Sequence, residues 1–329
     1  MYVTSMSRVV SWDLPEPAVA RRQPFRFGYE VLRGIAQVDF MPNAACGVFF
    51  FAALFAAGWQ YGLYGLLGTV AGTAAAYGLG VDKERIGAGL EGFNGCLVAV
   101  AFAVFLGPGH ASTWALALGG ALVSAVVTGA LVNLLRPWSM PTFTLPFCLI
   151  ASVMTIAAPG FPRVWHEGSA LSALPRSAAG SPALDWDGIG HAFFANVGQI
   201  FLMPQWYVGL LFLLGIFVAD LVAGLTACLG SVVGIVTAWA LGAPASGVTE
   251  GLLGYNAVLV AMALGAVFLD RGAWSLGYAA VGAAASTVLT VAVTSFFAPF
   301  GGHTLTWPYI LTTLFFLAAV PSFPRLRRS

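Results

Sequence analysis

The side chains in this sequence that could do chemistry recur in matched pairs within apolar surroundings, and they are hydrogen-bonding or aromatic groups rather than reactive ones. Thr144 in "TFTLPF" matches Thr306 in "TLTWPY", and Gln37 in "AQVDFMPN" matches Gln199 in "GQIFLMPQ". Phe93 and Asn94 of "GFNGCLVAV" match Tyr255 and Asn256 of "GYNAVLVAM", with Leu97 and Leu259 one helical turn further along the same face. Threonine hydroxyls and glutamine amides supply acceptor oxygens, and the amide also supplies a donor. Placed at apolar depth, such groups stand in for the water around a polar, uncharged solute, whose bare donors would otherwise cost several kcal/mol to bury.

Each group also has a plainer role. A threonine two places before a proline caps a helix start with its hydroxyl, and the proline then sits in the first turn, where its missing donor costs little. Capping and lining a cavity are compatible. A glutamine on an exposed helix face is merely solvated, but a matched pair at membrane depth favours lining. Aromatics most often face lipid or core. Here the repeat favours a cavity wall for Phe93 and Tyr255, with Phe40 as a second aromatic plate whose counterpart, Leu202, is aliphatic. The asparagines are expected to tie down backbone at helix starts.

The other reactive residue types form no constellation. Cys46, Cys96, Cys148 and Cys228 lie singly in apolar segments, where free cysteine behaves as a small hydrophobe, so neither disulfides nor metal are assigned. His110, His166, His191 and His303 are dispersed. Of the acids near apolar runs, Asp39, Glu91, Asp220 and Glu250, none has an acidic counterpart in the matched register, and Glu91 and Glu250 lie at helix starts where carboxylates are favoured. All four are read as structural. A proton or sodium relay lacks material, no cofactor is implied, and an enzyme is the weakest reading.

These residues must be positioned by membrane helices. Of 329 residues 59% are hydrophobic and 8% charged, against about 25% charged in soluble chains. The formal net charge of +1 offers no basic field for nucleic acid. Candidate spans fall near 43–58, 60–80, 88–106, 112–135 and 144–158, and again near 205–221, 222–242, 250–269, 273–297 and 306–320. The segments before each series, around Gln37 and Gln199, are too short and polar to cross beside the span that follows, and read as re-entrant. The expected organisation is a polar cytoplasmic tail over 1–27, a first repeat over 28–158, an external linker over 159–187, a second repeat over 188–320 and a basic tail over 321–329. Of the basic residues only Arg163 and Arg176 fall opposite the rest, which by the positive-inside rule puts both termini in the cytoplasm.

Every matched pair above, together with Gly47 and Gly209, Gly72 and Gly234, and Pro137 and Pro299, is separated by 162 residues. One ungapped register across three polar motifs marks a tandem duplication. Five spans per unit is an odd number, so the second copy enters the membrane from the opposite side. Inverted repeats place a binding or permeation site near the midplane, commonly built from broken helices, and Pro146 and Pro308 are expected to start or break such helices.

Taken in order, these motifs resemble the urea transporter family, in its bacterial and animal branches, from about Gly34 to Val320. The resemblance implies an all-α, ten-span inverted repeat with two re-entrant helices. It also implies a homotrimer with one pore per protomer in the cell (inner) membrane. The pore would be a slot with aromatic and apolar walls and a ladder of oxygens along one edge. By the resemblance, Gln37, Val38 and Phe40 form the first re-entrant motif and Gln199, Ile200 and Leu202 the second. Phe93, Leu97, Tyr255 and Leu259 form the walls, and Thr144 and Thr306 the centre. Tyr255 stands where phenylalanine is expected and Leu202 where an aromatic is common, and Asp39 is unusual. Passive permeation of urea is the expected function. A channel for ammonia, water or a short amide is the alternative, followed by an ion-coupled transporter. Two Asn-Pro-Ala boxes of a water-channel type are absent, "PNAA" at Pro42 being none.

Overall fold

Glycine- and alanine-rich apolar runs, interrupted by prolines, fold here entirely into helices. The computed structural model describes residues 23–166 and 180–329. Most of the expected N-terminal tail, with Arg8, Arg21 and Arg22, and the middle of the expected linker, with Arg176, lie outside the described residues. The first series comprises α1 (Gln23–Ala36), α2 (Ala44–Ala57), α3 (Trp59–Gly78), α4 (Lys83–Gly87), α5 (Phe93–Leu106), α6 (Ala111–Leu135) and α7 (Leu145–Ala157). The second comprises α8 (Trp186–Gly198), α9 (Trp206–Ala219), α10 (Leu221–Ala240), α11 (Ala245–Thr249), α12 (Tyr255–Met262), α13 (Ala273–Phe297) and α14 (Trp307–Ala319). The bounds of the two series match at the register of 162 residues except at the start of α8 and in α12, which continues as a π-turn over Ala263–Val267. Among the described residues the only strand-like pairing is an antiparallel bridge between Leu269 and Arg328.

Three stretches among the described residues are long and apolar enough to cross a membrane alone, Ala111–Trp138, Leu221–Ala240 and Ala273–Phe300. The helices α1 and α2, bent by 76°, and α8 and α9, bent by 75°, are broken pairs. Counting each pair as one span gives up to five, fewer than the ten candidate spans. The difference lies in α3, Trp59–Gly78, and in the short apolar helices α5, α7, α12 and α14. In α7 and α14 a proline sits in the first turn, which permits a helix to start there but not to extend backwards through it.

Close backbone approach holds the bent pairs shut. A Cβ on Gly47 would come within 2.0 Å of the Leu32 carbonyl oxygen, and one on Gly209 within 1.9 Å of that of Phe194. Only glycine fits where α1 folds back on α2 and α8 on α9. Between lipid-facing helices the gain comes from such tight van der Waals contact rather than from water exclusion. Where the two series meet, α2 packs on α9, with Phe50 edge-on to Phe201 and Phe212 at centroid distances of 5.5 and 4.9 Å.

Candidate functional site

Each bent pair turns through a short 3₁₀ segment, Gln37–Asp39 in the first and Gln199–Phe201 in the second. The residue that follows takes the left-handed conformation, Phe40 at φ 65° and Leu202 at φ 63°, and its N–H closes on the glutamine carbonyl. A bulky side chain there costs on the order of 1–3 kcal/mol, and the turn delivers it sharply away from the helix. The glutamine side chains are pinned identically. Gln37 Nε2 donates to Ala88 O at 2.7 Å and Gln199 Nε2 to Glu250 O at 2.8 Å, so one of the two amide N–H donors is used by the protein in each case, and the oxygen is left to accept.

At the starts of α7 and α14 the expected cap is replaced by a different arrangement. Neither Thr144 nor Thr306 makes a side-chain cap; their hydroxyls meet each other at 2.7 Å across the two series, both buried. The backbone there is held by the asparagines instead. Asn94 Oδ1 accepts from Phe147 N and Asn256 Oδ1 from Tyr309 N, each at 3.1 Å. Capping from a distant helix frees both threonines, because it satisfies first-turn donors that a threonine hydroxyl would otherwise take. Cys148 Sγ lies 3.1 Å from Thr306 Oγ1.

A cavity of about 480 Å³ reaches this point from one end of the molecule. Its lining includes Gln37, Val38, Phe40, Phe93 and Thr144, all expected from the sequence. It also includes Phe143, Phe268 and Tyr309, which were not. Phe268 stands edge-on to Phe40 and Phe143 at 5.8 and 5.3 Å, and Tyr309 to the same two rings at 6.0 and 5.2 Å. The aromatic wall is thus a four-ring cage, each edge-to-face pair being the arrangement ring quadrupoles favour. These rings have partly aliphatic counterparts, Leu305 for Phe143 and Leu106 for Phe268, so repeat matching alone could not have marked them. Only Phe147, the counterpart of Tyr309 in "TLPF", carried a signal.

The remaining expected residues lie apart from this cavity. Leu97, Leu259 and Ile200 are buried in the core, and Gln199, Leu202, Tyr255 and Thr306 do not line this cavity, Thr306 meeting it only through its contact with Thr144. Tyr255 does not polarise an open slot: its hydroxyl donates to Leu305 O, which Asn256 Nδ2 also approaches at 3.4 Å.

Arg85 and Arg136 line the cavity, Arg85 pairing with Glu91 at 2.7 Å; this is the basic end. Glu91 and Asp220, which caps α10 through Val222 and Ala223 N and pairs with Arg271, take the structural roles expected of them. Asp39 is different. It is fully buried and neither carboxyl oxygen has a hydrogen-bond partner, in the position that Phe201 fills in the other half. Among the described residues no group of three or more His, Cys, Asp or Glu could hold a metal.

A family profile described as "Urea transporter" matches residues 29–321, spanning both bent pairs, the threonine contact and the aromatic cage. "Urea transporter 1" of Rattus norvegicus is 30% identical over 336 residues, covering 99% of this chain and 85% of the relative. "Urea transporter 1" of Ovis aries is 30% identical over 338 residues, at 99% and 84% coverage. The protein of the same name in Capra hircus is 30% identical over 334 residues, again at 99% and 84%. A match of that length, falling on the glutamine turns, the asparagine caps and the facing threonines alike, means that the chain belongs to the urea transporter family.

Proposed function

We propose that this chain conducts urea passively across a membrane, as a channel and not as an enzyme or an ion-coupled carrier. The observation that carries the reading is the pair of buried hydroxyls, Thr144 and Thr306, 2.7 Å apart behind a cage of aromatic rings. Urea is small, flat and neutral, with four N–H donors and one carbonyl. Aromatic faces accommodate its planes, and the oxygens of Gln37 and Thr144 on one side and of Thr306 and Gln199 on the other replace the water partners lost on entry. Phe93 and Leu97, with Tyr255 and Leu259, would wall the two half-slots, and Val38 and Ile200 would bring their backbone to the same edge. The ion pairs of the described residues, Arg26–Glu30, Arg85–Glu91, His191–Asp187 and Arg271–Asp220, each lie within one series.

In this reading the two series form an inverted repeat of ten spans. The short helices α5, α7, α12 and α14 reach only part of the way and meet at the midplane. The basic end, with Arg85, Arg136 and Arg328, faces the cytoplasm; both termini lie there, the 159–187 linker lies outside, and the protein resides in the cell (inner) membrane. The family resemblance supports a homotrimer with a pore in each protomer.

The test is stopped-flow light scattering of the purified protein in liposomes under an inward urea gradient, with ammonia, water and acetamide as alternative solutes. Urea flux above empty liposomes, unaffected by collapsing sodium and proton gradients, is expected. Flux that requires either gradient, or that favours another solute over urea, would overturn the reading.

A further inference from the structure

The segments that follow α7 and α14 repeat each other in the same register. Phe161-Pro162-Arg163-Val164-Trp165-His166 corresponds to Phe323-Pro324-Arg325-Leu326-Arg327-Arg328, each behind a matched 3₁₀ turn, Ala158–Gly160 and Val320–Ser322. Both phenylalanines are extended, at φ −122° and −118°, as the following proline requires. Each segment then doubles back to the start of the preceding long helix, α6 in the first copy and α13 in the second. In the first half the His166 ring stacks on His110 at 3.7 Å, and its Nε2 lies 3.1 Å from Ser112 Oγ. In the second, Arg325 sits 4.3 Å over the Trp274 ring, at the position matching Ser112. A segment built twice on the same plan is part of the fold rather than a loose end.

The second copy goes further than the first. Asp270 N donates to Arg327 O at 3.0 Å and Ser329 N to Phe268 O at 3.2 Å, making a short strand-like pairing at the edge of the aromatic cage. Arg328 donates to Leu317 O at 2.8 Å and to Ser139 O at 3.2 Å, so it ties the segment across the mouth to both α14 and the loop before α7. Ser329 lines the cavity together with Gln37 and Phe40. Arg328, bonded to the rim residues Ser139 and Met140, joins a rim that already carries Arg85 and Arg136, so these hydrogen bonds must outweigh the like-charge repulsion to hold the segment down.

We infer that residues 323–329 form a strap across the basic-end mouth of the cavity, latched by Arg328, that limits entry and swings clear when the latch releases. For flux this rests on the cavity being the permeation route; for access to the cavity it does not. Two variants test it, removal of residues 325–329 and Arg328→Ala, each checked for a monodisperse profile in detergent. In both, Thr142→Cys on the cavity wall reports access through its rate of modification by a bulky polar thiol reagent, with the parent protein as the background for its four native cysteines.

Modification about fivefold faster in Arg328→Ala, the expected effect of losing one charge-assisted hydrogen-bonded latch, and faster still in the truncation, is the predicted result. Urea permeability in liposomes rises at least about twofold in the same order, if the latched state dominates. Equal or slower labelling overturns the strap, and faster labelling with unchanged urea flux overturns its role in limiting permeation. If the unaltered protein carries no urea, the proposed function fails, while the labelling rates still decide whether the strap covers the cavity.

Discussion

Gln37 and Gln199 use their amide N–H on backbone carbonyls 51 residues away in sequence, which orients each side chain without help from solvent. Replacing Gln37 by leucine leaves Ala88 O without its partner and removes an acceptor from the cavity. The expected cost is about 1 kcal/mol of stability, with a similar rise in the urea barrier that slows flux about fivefold. Thermal unfolding in detergent and liposome flux read the two effects separately. Asp39 is the opposite case, a buried carboxyl with no partner where the other half has phenylalanine. A polar group in that position costs free energy that an apolar one does not, so Asp39→Leu is expected to raise the unfolding temperature; a fall would contradict its assignment as an unpaired group. The pairing of the threonines was legible in the sequence because both copies carry them in one register. Their expected cap was not the one formed: the Thr-x-Pro pattern announces a helix start, but the partner of its first-turn donors sits about 50 residues away on another helix.

At the scale of elements, the bent pairs depend on glycine at the crossing and on asparagine at the helix starts. Gly47→Ala puts a methyl carbon 2.0 Å from the Leu32 carbonyl oxygen. Backbone cannot yield as a flexible side chain would, so a loss of about 1–3 kcal/mol or more is expected, visible as a lower unfolding temperature and aggregation on size exclusion. Asn94→Ala strips the Phe147 N cap and the weaker contact to Phe143 O at 3.4 Å. That should cost about 1–2 kcal/mol and, by loosening the start of α7, slow urea flux as well. Helix positions followed from hydropathy and from the offset, and the structure keeps most of them within about two residues, whereas the helices of 88–106 and 250–269 start only at Phe93 and Tyr255. The number of full crossings is not shown by length and apolarity alone, because a helix that starts behind a proline, as α7 and α14 do, is too short to count as a span by itself. The aromatic cage was half legible: Phe40 was marked by the motif around Gln37 and Tyr309 has an aromatic counterpart in Phe147, whereas Phe143 and Phe268 have leucines in the other copy.

For the whole molecule, the two halves share backbone and differ in side chains. The basic end gathers the rings of Phe40, Phe143, Phe268 and Tyr309 from both copies, with Arg85, Arg136 and the strap, while the second copy has Leu202 and Leu305 where the first has Phe40 and Phe143, and a Tyr255 whose hydroxyl is bound to backbone. A path joining two unlike halves through one hydroxyl pair still conducts equally in both directions, since without coupling only the gradient sets direction. The central claim is that the facing threonines replace water around urea at the narrowest point. Its most direct test is urea permeability per protein in liposomes for the unaltered chain, Thr144→Val, Thr306→Val and the double variant. Each single change is expected to slow urea about tenfold, the loss of one well-placed hydrogen bond to a desolvated solute. The double variant should be slower than either, with all four proteins monodisperse in detergent. Unchanged urea flux in the double variant would contradict the account.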